Sequence, residues 1–210
     1  MVSTVLHLWM LVSIRWFMAT FGNIVGDGYT YAVTAEVNYI RGWGGSPATN
    51  GTADSITIKT GAVVTVSHEI QCALYEYVSS TDIGNLIATT ETKKVSATNT
   101  EYTFNFSDPK PTLIAGTNYY LLCGVPITVD GSYRTRLVCD ITTGSLGTVT
   151  GTSDPVTWSD PMTGESFSAS NLYIYCSYTS STPAIYIYQS SFQQVDYYSN
   201  EQALSVDGWR

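Results

Sequence analysis

Apolar and polar residues alternate with period two along most of the chain. The clearest stretch runs from Glu101 to Val125, where Tyr102, Phe104 and Phe106 alternate with Thr103, Asn105 and Ser107. A Pro-x-Pro turn and Ala-Gly-Thr follow, and then Tyr119, Leu121, Cys123 and Val125 share one phase. Successive side chains in a strand point to opposite faces, so this pattern predicts two half-buried strands. Their Pro/Gly connection reads as a hairpin, the spine of an antiparallel sheet.

The same alternation predicts one or two strands over Ile56, Ile58 and Ala62 to Val66, and another over Glu69 to Tyr77 with Ile70, Cys72 and Leu74 inward. Leu86 to Thr90 and Lys93 to Val95 read as a strand pair, and Tyr133 to Ile141 as a strand. Asn171 to Tyr178 reads as a closing strand with Leu172, Ile174, Cys176 and Tyr178 inward. Phe21 to Trp43 is a glycine-punctuated edge, while Gly42 to Asp54, Ser79 to Asn85 and Thr142 to Ser168 carry the Gly, Ser, Asn and Pro of loops and turns. Short strands separated by regular turn signals predict an all-β fold, an antiparallel two-sheet β-sandwich with N- and C-terminal extensions. The divisions are residues 1–20 as an apolar leader, 21–179 as the sandwich and 180–210 as a C-terminal strand and tail.

The leader is ambiguous. Its first charge, Arg15, follows the apolar run, the reverse of a secretory signal. With His7 and Arg15 inside it, it is also a poor membrane span. It reads as a degenerate signal, as an assembly arm that buries its apolar face on a neighbour, or as sequence upstream of a start at Met18. Ala184 to Gln189 alternates well enough for a further strand, packed on the chain's own sheet edge or on another subunit by strand addition.

Composition narrows the function. A chain of 210 residues can bury the core of one sandwich. Sixteen tyrosines and only 12% charged residues fit an all-β protein, and a net charge of −8 without clustered cations argues against a nucleic-acid partner. Cys72, Cys123, Cys139 and Cys176 lack metal-type spacing. Cys72, Cys123 and Cys176 fall on inward phases and read as buried thiols, with a disulfide as the alternative that an even count allows.

A resemblance adds to this. Phe-Gly-Asn near the start, Gly-Thr-Ala-Asp-Ser-Ile-Thr at Gly51 to Thr57, Cys-Ala-Leu-Tyr at Cys72 to Tyr75 and Gly-Asn-Leu-Ile-Ala-Thr-Thr at Gly84 to Thr90 stand in order. They are followed by Tyr-Thr-Phe-Asn-Phe at Tyr102 to Phe106, Leu-Ile-Ala-Gly-Thr-Asn-Tyr-Tyr-Leu at Leu113 to Leu121 and Asn-Leu-Tyr-Ile-Tyr-Cys-Ser-Tyr-Thr at Asn171 to Thr179. Together they resemble a jelly-roll module that recurs in archaeal, bacterial and phage surface proteins. The likeness implies a jelly-roll fold and carries no shared catalytic residues. Such modules usually show Ala where this chain has Cys72 and Cys176, which favours buried thiols over a bridge.

Catalytic patterns are thin. The only histidines are His7 and His68, and there is no Gly-x-Ser-x-Gly elbow. Glu69, Glu76, Glu91, Glu101 and Glu165 offer paired carboxylates for glycosidase chemistry, but Glu76 and Glu101 lie at strand ends, where solvated charge is the ordinary explanation. Asp108, Asp130, Asp140, Asp154 and Asp160 lie in or near turns without calcium-loop spacing. Exposed aromatic faces are a different matter. Tyr173 and Tyr175 take the outward phase, and Tyr120, Tyr133 and Trp158 lie on outward phases or loops. Such a set suits either a glycan, which stacks on aromatic rings, or a subunit interface. The expectation is a non-catalytic structural or interaction protein of a virion, extracellular filament or cell surface that assembles through its terminal segments. The alternative is a carbohydrate-binding module. No catalytic residue, metal or cofactor is assigned. The partners are further copies or other surface or virion subunits, with a glycan as the alternative ligand, and neither nucleic acid nor a stable membrane span is expected.

Overall fold

The computed structural model describes residues 10–24, 31–36, 39–64, 68–80, 82–124, 134–140, 148–152, 158–162, 166–168, 171–181 and 184–189. Among them every regular element is a strand. In chain order these are β1 (Met10–Arg15), β2 (Met18–Asn23), β3 (Tyr31–Glu36), β4 (Tyr39–Gly45), β5 (Gly51–Val64), β6 (His68–Ser79), β7 (Asp82–Val95) and β8 (Glu101–Asn105). They continue with β9 (Thr112–Leu113), β10 (Tyr119–Gly124), β11 (Arg134–Asp140), β12 (Thr148–Thr152), β13 (Ser166–Ser168), β14 (Asn171–Leu172), β15 (Ile174–Ser180) and β16 (Ala184–Gln189).

The chain divides into two units. Residues 16–182 form an all-β two-sheet sandwich, and residues 1–15 with 183–210 form the other. In the sandwich a six-stranded sheet runs β13-β12-β4-β10-β6-β7, and an eight-stranded sheet runs β14-β11-β5-β15-β2 with β3, β8 and β9 paired onto it. All pairings are antiparallel. In the second unit β1 pairs with β16 as a two-stranded ribbon. The strand expected over Ala184 to Gln189 therefore exists, and its partner is the leader rather than a sheet edge of the sandwich. The boundary expected at residue 20 falls inside β2, whose Phe21 enters the core.

The interior is the one that the alternation specifies. Ile70, Cys72 and Leu74 from β6, Leu121 and Cys123 from β10, Phe104 from β8, and Leu172, Ile174, Cys176 and Tyr178 from β14 and β15 are fully buried together between the sheets. Cys72, Cys123 and Cys176 are buried thiols, as their phase predicts. The opposite phase of the six-stranded sheet departs from a simple sandwich, because Ala73, Tyr75, Tyr120 and Leu122 are also fully buried. They form a second apolar cluster with Ile40, Ile83 and Met162, against which Trp158 packs. Residues 158–162 lie over this outer face as a strap, held where Tyr75 Oη donates to the Ser159 carbonyl at 2.8 Å and Asp160 Oδ1 accepts the Leu86 N–H at 2.9 Å.

Several expectations change. The segments around Phe104 and Leu121 do not form a hairpin. β8 pairs with β5 in one sheet, and β10 pairs with β4 and β6 in the other. The connection between Asn105 and Tyr119 is too long for a tight hairpin, and it uses Thr112 and Leu113 to pair with β5 before crossing the core. The loop expected over Gly42 to Asp54 shrinks to the residues between β4 and β5, and β5 is one strand of 14 residues. Ser79 to Asn85 is mostly strand, and the loop expected over Thr142 to Ser168 contains β12 and β13.

Gly42 falls in a stretch with the composition of a loop but lies within β4, and its packing gives the reason. A Cβ on Gly42 would strike the Leu122 side chain and the Leu121 carbonyl oxygen, so glycine here allows β4 to approach β10 rather than breaking the strand. Gly42→Ala should therefore lower the unfolding free energy by about 2 kcal/mol, read as a reduced urea midpoint. A variant as stable as wild type would contradict this packing.

Candidate functional site

On the outer face of the eight-stranded sheet, β15, β5 and β8 lie side by side. In register Thr57 faces Tyr175 on one side and Thr103 on the other, Ser55 faces Ser177 and Asn105, and Lys59 faces Glu101. These positions carry the outward phase because Ile56, Ile58, Ile174, Cys176 and Phe104 occupy the core. Ser55 and Thr57 are buried in this row, so the hydroxyls it leaves accessible are those of Thr103 and Ser177, a small patch edged by aromatic rings and charges.

Glu101 organises one end of it. The Tyr173 phenol donates to Glu101 Oε1 at 2.6 Å, and the Tyr175 phenol approaches Oε2 at 3.4 Å. The two rings meet edge to face with centroids 6.0 Å apart, and Lys59 Nζ lies 5.5 Å from the Tyr173 centroid. Thr57 and Thr103 share a hydroxyl hydrogen bond of 2.9 Å. At the other end Glu91 Oε1 accepts from the Asn105 N–H at 3.0 Å and from Nδ2 at 2.7 Å, with Lys93 Nζ 3.2 Å away. The Asn105 N–H, supported by Lys93, holds the Glu91 carboxyl below the usual carboxylate range.

The five aromatic candidates do not form one site. Tyr173 and Tyr175 meet at Glu101, but only Tyr175 is half-exposed, while Tyr173 is 5% exposed and offers no open ring face. Tyr120 takes the outward phase of the other sheet, where it is fully covered, its hydroxyl donating to the Ser79 carbonyl at 2.8 Å and its ring 5.1 Å from Tyr77. The expectation of an exposed aromatic face at Tyr120 is thus corrected: the strap and its cluster bury the outward phase. Trp158 belongs to that same cluster, half-buried against Tyr75 with Nε1 donating to Gln71 Oε1 at 2.7 Å. Tyr133 lies outside the described residues. Glu101, Lys59 and Thr57 were not singled out from the sequence as ligand groups. Their signal was present in the alternation, which puts them on the outward phase, but the register that brings them beside Tyr175 was not.

Of the carboxylates weighed for catalysis, Glu76, Glu91 and Glu101 serve as hydrogen-bond acceptors, and Glu165 lies outside the described residues. Glu76 Oε2 accepts from Asn85 Nδ2 at 2.9 Å, Glu91 and Glu101 bind as above, and Asp160, one of the turn aspartates, holds the strap. His68 opens β6 opposite Val95, and His7 lies outside the described residues. Among the described residues no three His, Cys, Asp or Glu side chains converge, and no helix is long and apolar enough to cross a membrane. No protein-family model, curated protein or solved structure matches this chain.

Tyr173→Phe removes the stronger of the two phenol contacts to Glu101 and leaves a charged acceptor with a weaker partner. It should cost about 1–2 kcal/mol of stability by urea unfolding, and Tyr175→Phe less than half as much, because its contact is longer and more exposed. Equal costs would show that Glu101 does not organise the patch.

Proposed function

We propose that this is a structural or interaction protein of a virion, extracellular filament or cell surface, a jelly-roll-like subunit that assembles through its terminal segments. The observation that carries the reading is the β1–β16 ribbon. The two ends of the chain pair with each other, Met10 opposite Gln189 through Arg15 opposite Ala184, and belong to a unit separate from the sandwich. By that register Met10, Val12, Ile14, Ile185 and Ile187 share one phase of the ribbon, with Gln189 as its polar end. A two-stranded ribbon is marginal in water by itself, and an apolar face on it gains most from a third layer. A second copy, or another subunit of the same assembly, supplies that layer. Within the sandwich unit, Trp16, Phe17 and Met18 are 61%, 42% and 69% exposed, apolar surface of its own that a partner could cover.

Light scattering after size-exclusion chromatography tests this. The full chain should self-associate, and Val12→Asp with Ile187→Asp should weaken association by roughly tenfold or more while leaving the far-ultraviolet circular dichroism unchanged. A wild-type monomer across all accessible concentrations would overturn the proposal.

A second reading rests on Tyr175. Its half-exposed ring beside the Glu101 carboxylate, the exposed Thr103 and the half-buried Ser177 combines an apolar face with hydrogen-bonding groups, as a pyranose requires. Under this reading a glycan array gives hits that Tyr175→Ala abolishes, and an array without hits removes it.

A further inference from the structure

Cys72 and Cys123 stand directly opposite each other on β6 and β10, adjacent strands in the middle of the six-stranded sheet, and both are fully buried. Opposed residues in an antiparallel ladder are of two alternating kinds. One kind exchanges backbone hydrogen bonds at a Cα separation of about 5.5 Å, and the other does not and lies at about 4.5 Å, with side chains closer. The other neighbour of Cys72 decides which kind this is. Its N–H donates to Thr90 Oγ1 at 3.0 Å, and its carbonyl accepts from the same hydroxyl at 3.1 Å. Thr90 belongs to β7, on the far side of β6 from β10. Both backbone groups of Cys72 therefore turn away from β10, and Cys72–Cys123 is a non-hydrogen-bonded pair. A separation of about 4.5 Å lies inside the range of roughly 4.4–6.8 Å that disulfides span. Cys176 differs, because its register partners are Phe21 and Ile56.

We propose that Cys72 and Cys123 are a site of oxidative modification, closing a cross-strand disulfide when the chain folds in the presence of a small-molecule disulfide such as glutathione disulfide. One cysteine thiolate attacks the oxidant, releases one thiol and leaves a mixed disulfide. The second displaces the remaining thiol and forms the Cys72–Cys123 bond. Two S–H bonds are lost and one S–S bond forms. The two electrons reduce the oxidant to two thiols, which carry the two protons. The step precedes closure of the sandwich. In the folded chain both sulfurs are shut off from solvent, and burial, with Cys123 beside it, pushes the Cys72 thiol well above its usual range and away from the reactive thiolate. The same burial then shields the finished bond from reductants, so the bridge acts as a staple across the central strands.

The test is refolding of the denatured, reduced full-length chain with and without a glutathione disulfide buffer, followed by thiol blocking and peptide mapping by mass spectrometry. The oxidised product should lose two of its four thiols, link the Cys72 and Cys123 peptides, and unfold at a higher denaturant midpoint than the reduced product. Cys176→Ala should retain the link, and Cys72→Ala should lose it. Should Cys72→Ala fail to fold, the wild-type map alone decides. Four unmodified thiols, a link through Cys139 or Cys176, or glutathione adducts left on Cys72 or Cys123 would each overturn the assignment.

Discussion

The sandwich depends on the double-sided pairing of β5. From Gly51 to Ile58 one edge is held by β15, and β9 and β8 hold the other edge, while β11 pairs further along at Thr60 and Val64. A strand buried in this way must satisfy every backbone N–H and C=O, since an orphaned polar group in a dry interior costs as much as a lost hydrogen bond. Where the ladders end, turns take over. Thr60 N–H donates to the Thr100 carbonyl, and its Oγ1 bonds the chain between Ala97 and Thr100. Ala53, Ile56 and Ile58 then enter the core without exposing the backbone that carries them.

The six-stranded sheet solves a different problem. Its central strands β6 and β10 are apolar on both phases, so its outer face needs a cover, which the strap provides. Polar contacts tie that cover into the sheet: Trp158 donates to Gln71, Gln71 Nε2 donates to the Thr90 carbonyl at 2.8 Å, and the Thr90 hydroxyl satisfies the backbone of Cys72. The ladder between β6 and β7 shifts register between Gln71 and Ala73, and the Thr90 hydroxyl fills the gap. The centre of this sheet's outer face is therefore covered by its own chain. The other sheet presents Thr103, Ser177 and Tyr175 on its outer face, and β1 and β16 pair as a ribbon in the second unit.

The legible part of this fold was the part written in side-chain phase. Alternation alone identified the inward set of β6, β8, β10, β14 and β15, the buried state of three cysteines and the strand at Ala184, because burying one face imposes a period-two pattern whichever strand lies alongside. Of the candidate site it identified Tyr175 as outward, but it could not separate a solvent face from a covered one, and so placed Tyr120 and Trp158 with it.

What tertiary structure alone decided was pairing. That the chain crosses between sheets after Asn105, that the leader joins β16, that Glu101 meets Tyr173, and that Cys72 faces Cys123 are all matters of register between segments far apart in the chain. Phase is a local property, set by each residue's own surroundings. Register is set by which distant backbone completes the hydrogen-bond ladder, and no single segment contains that information.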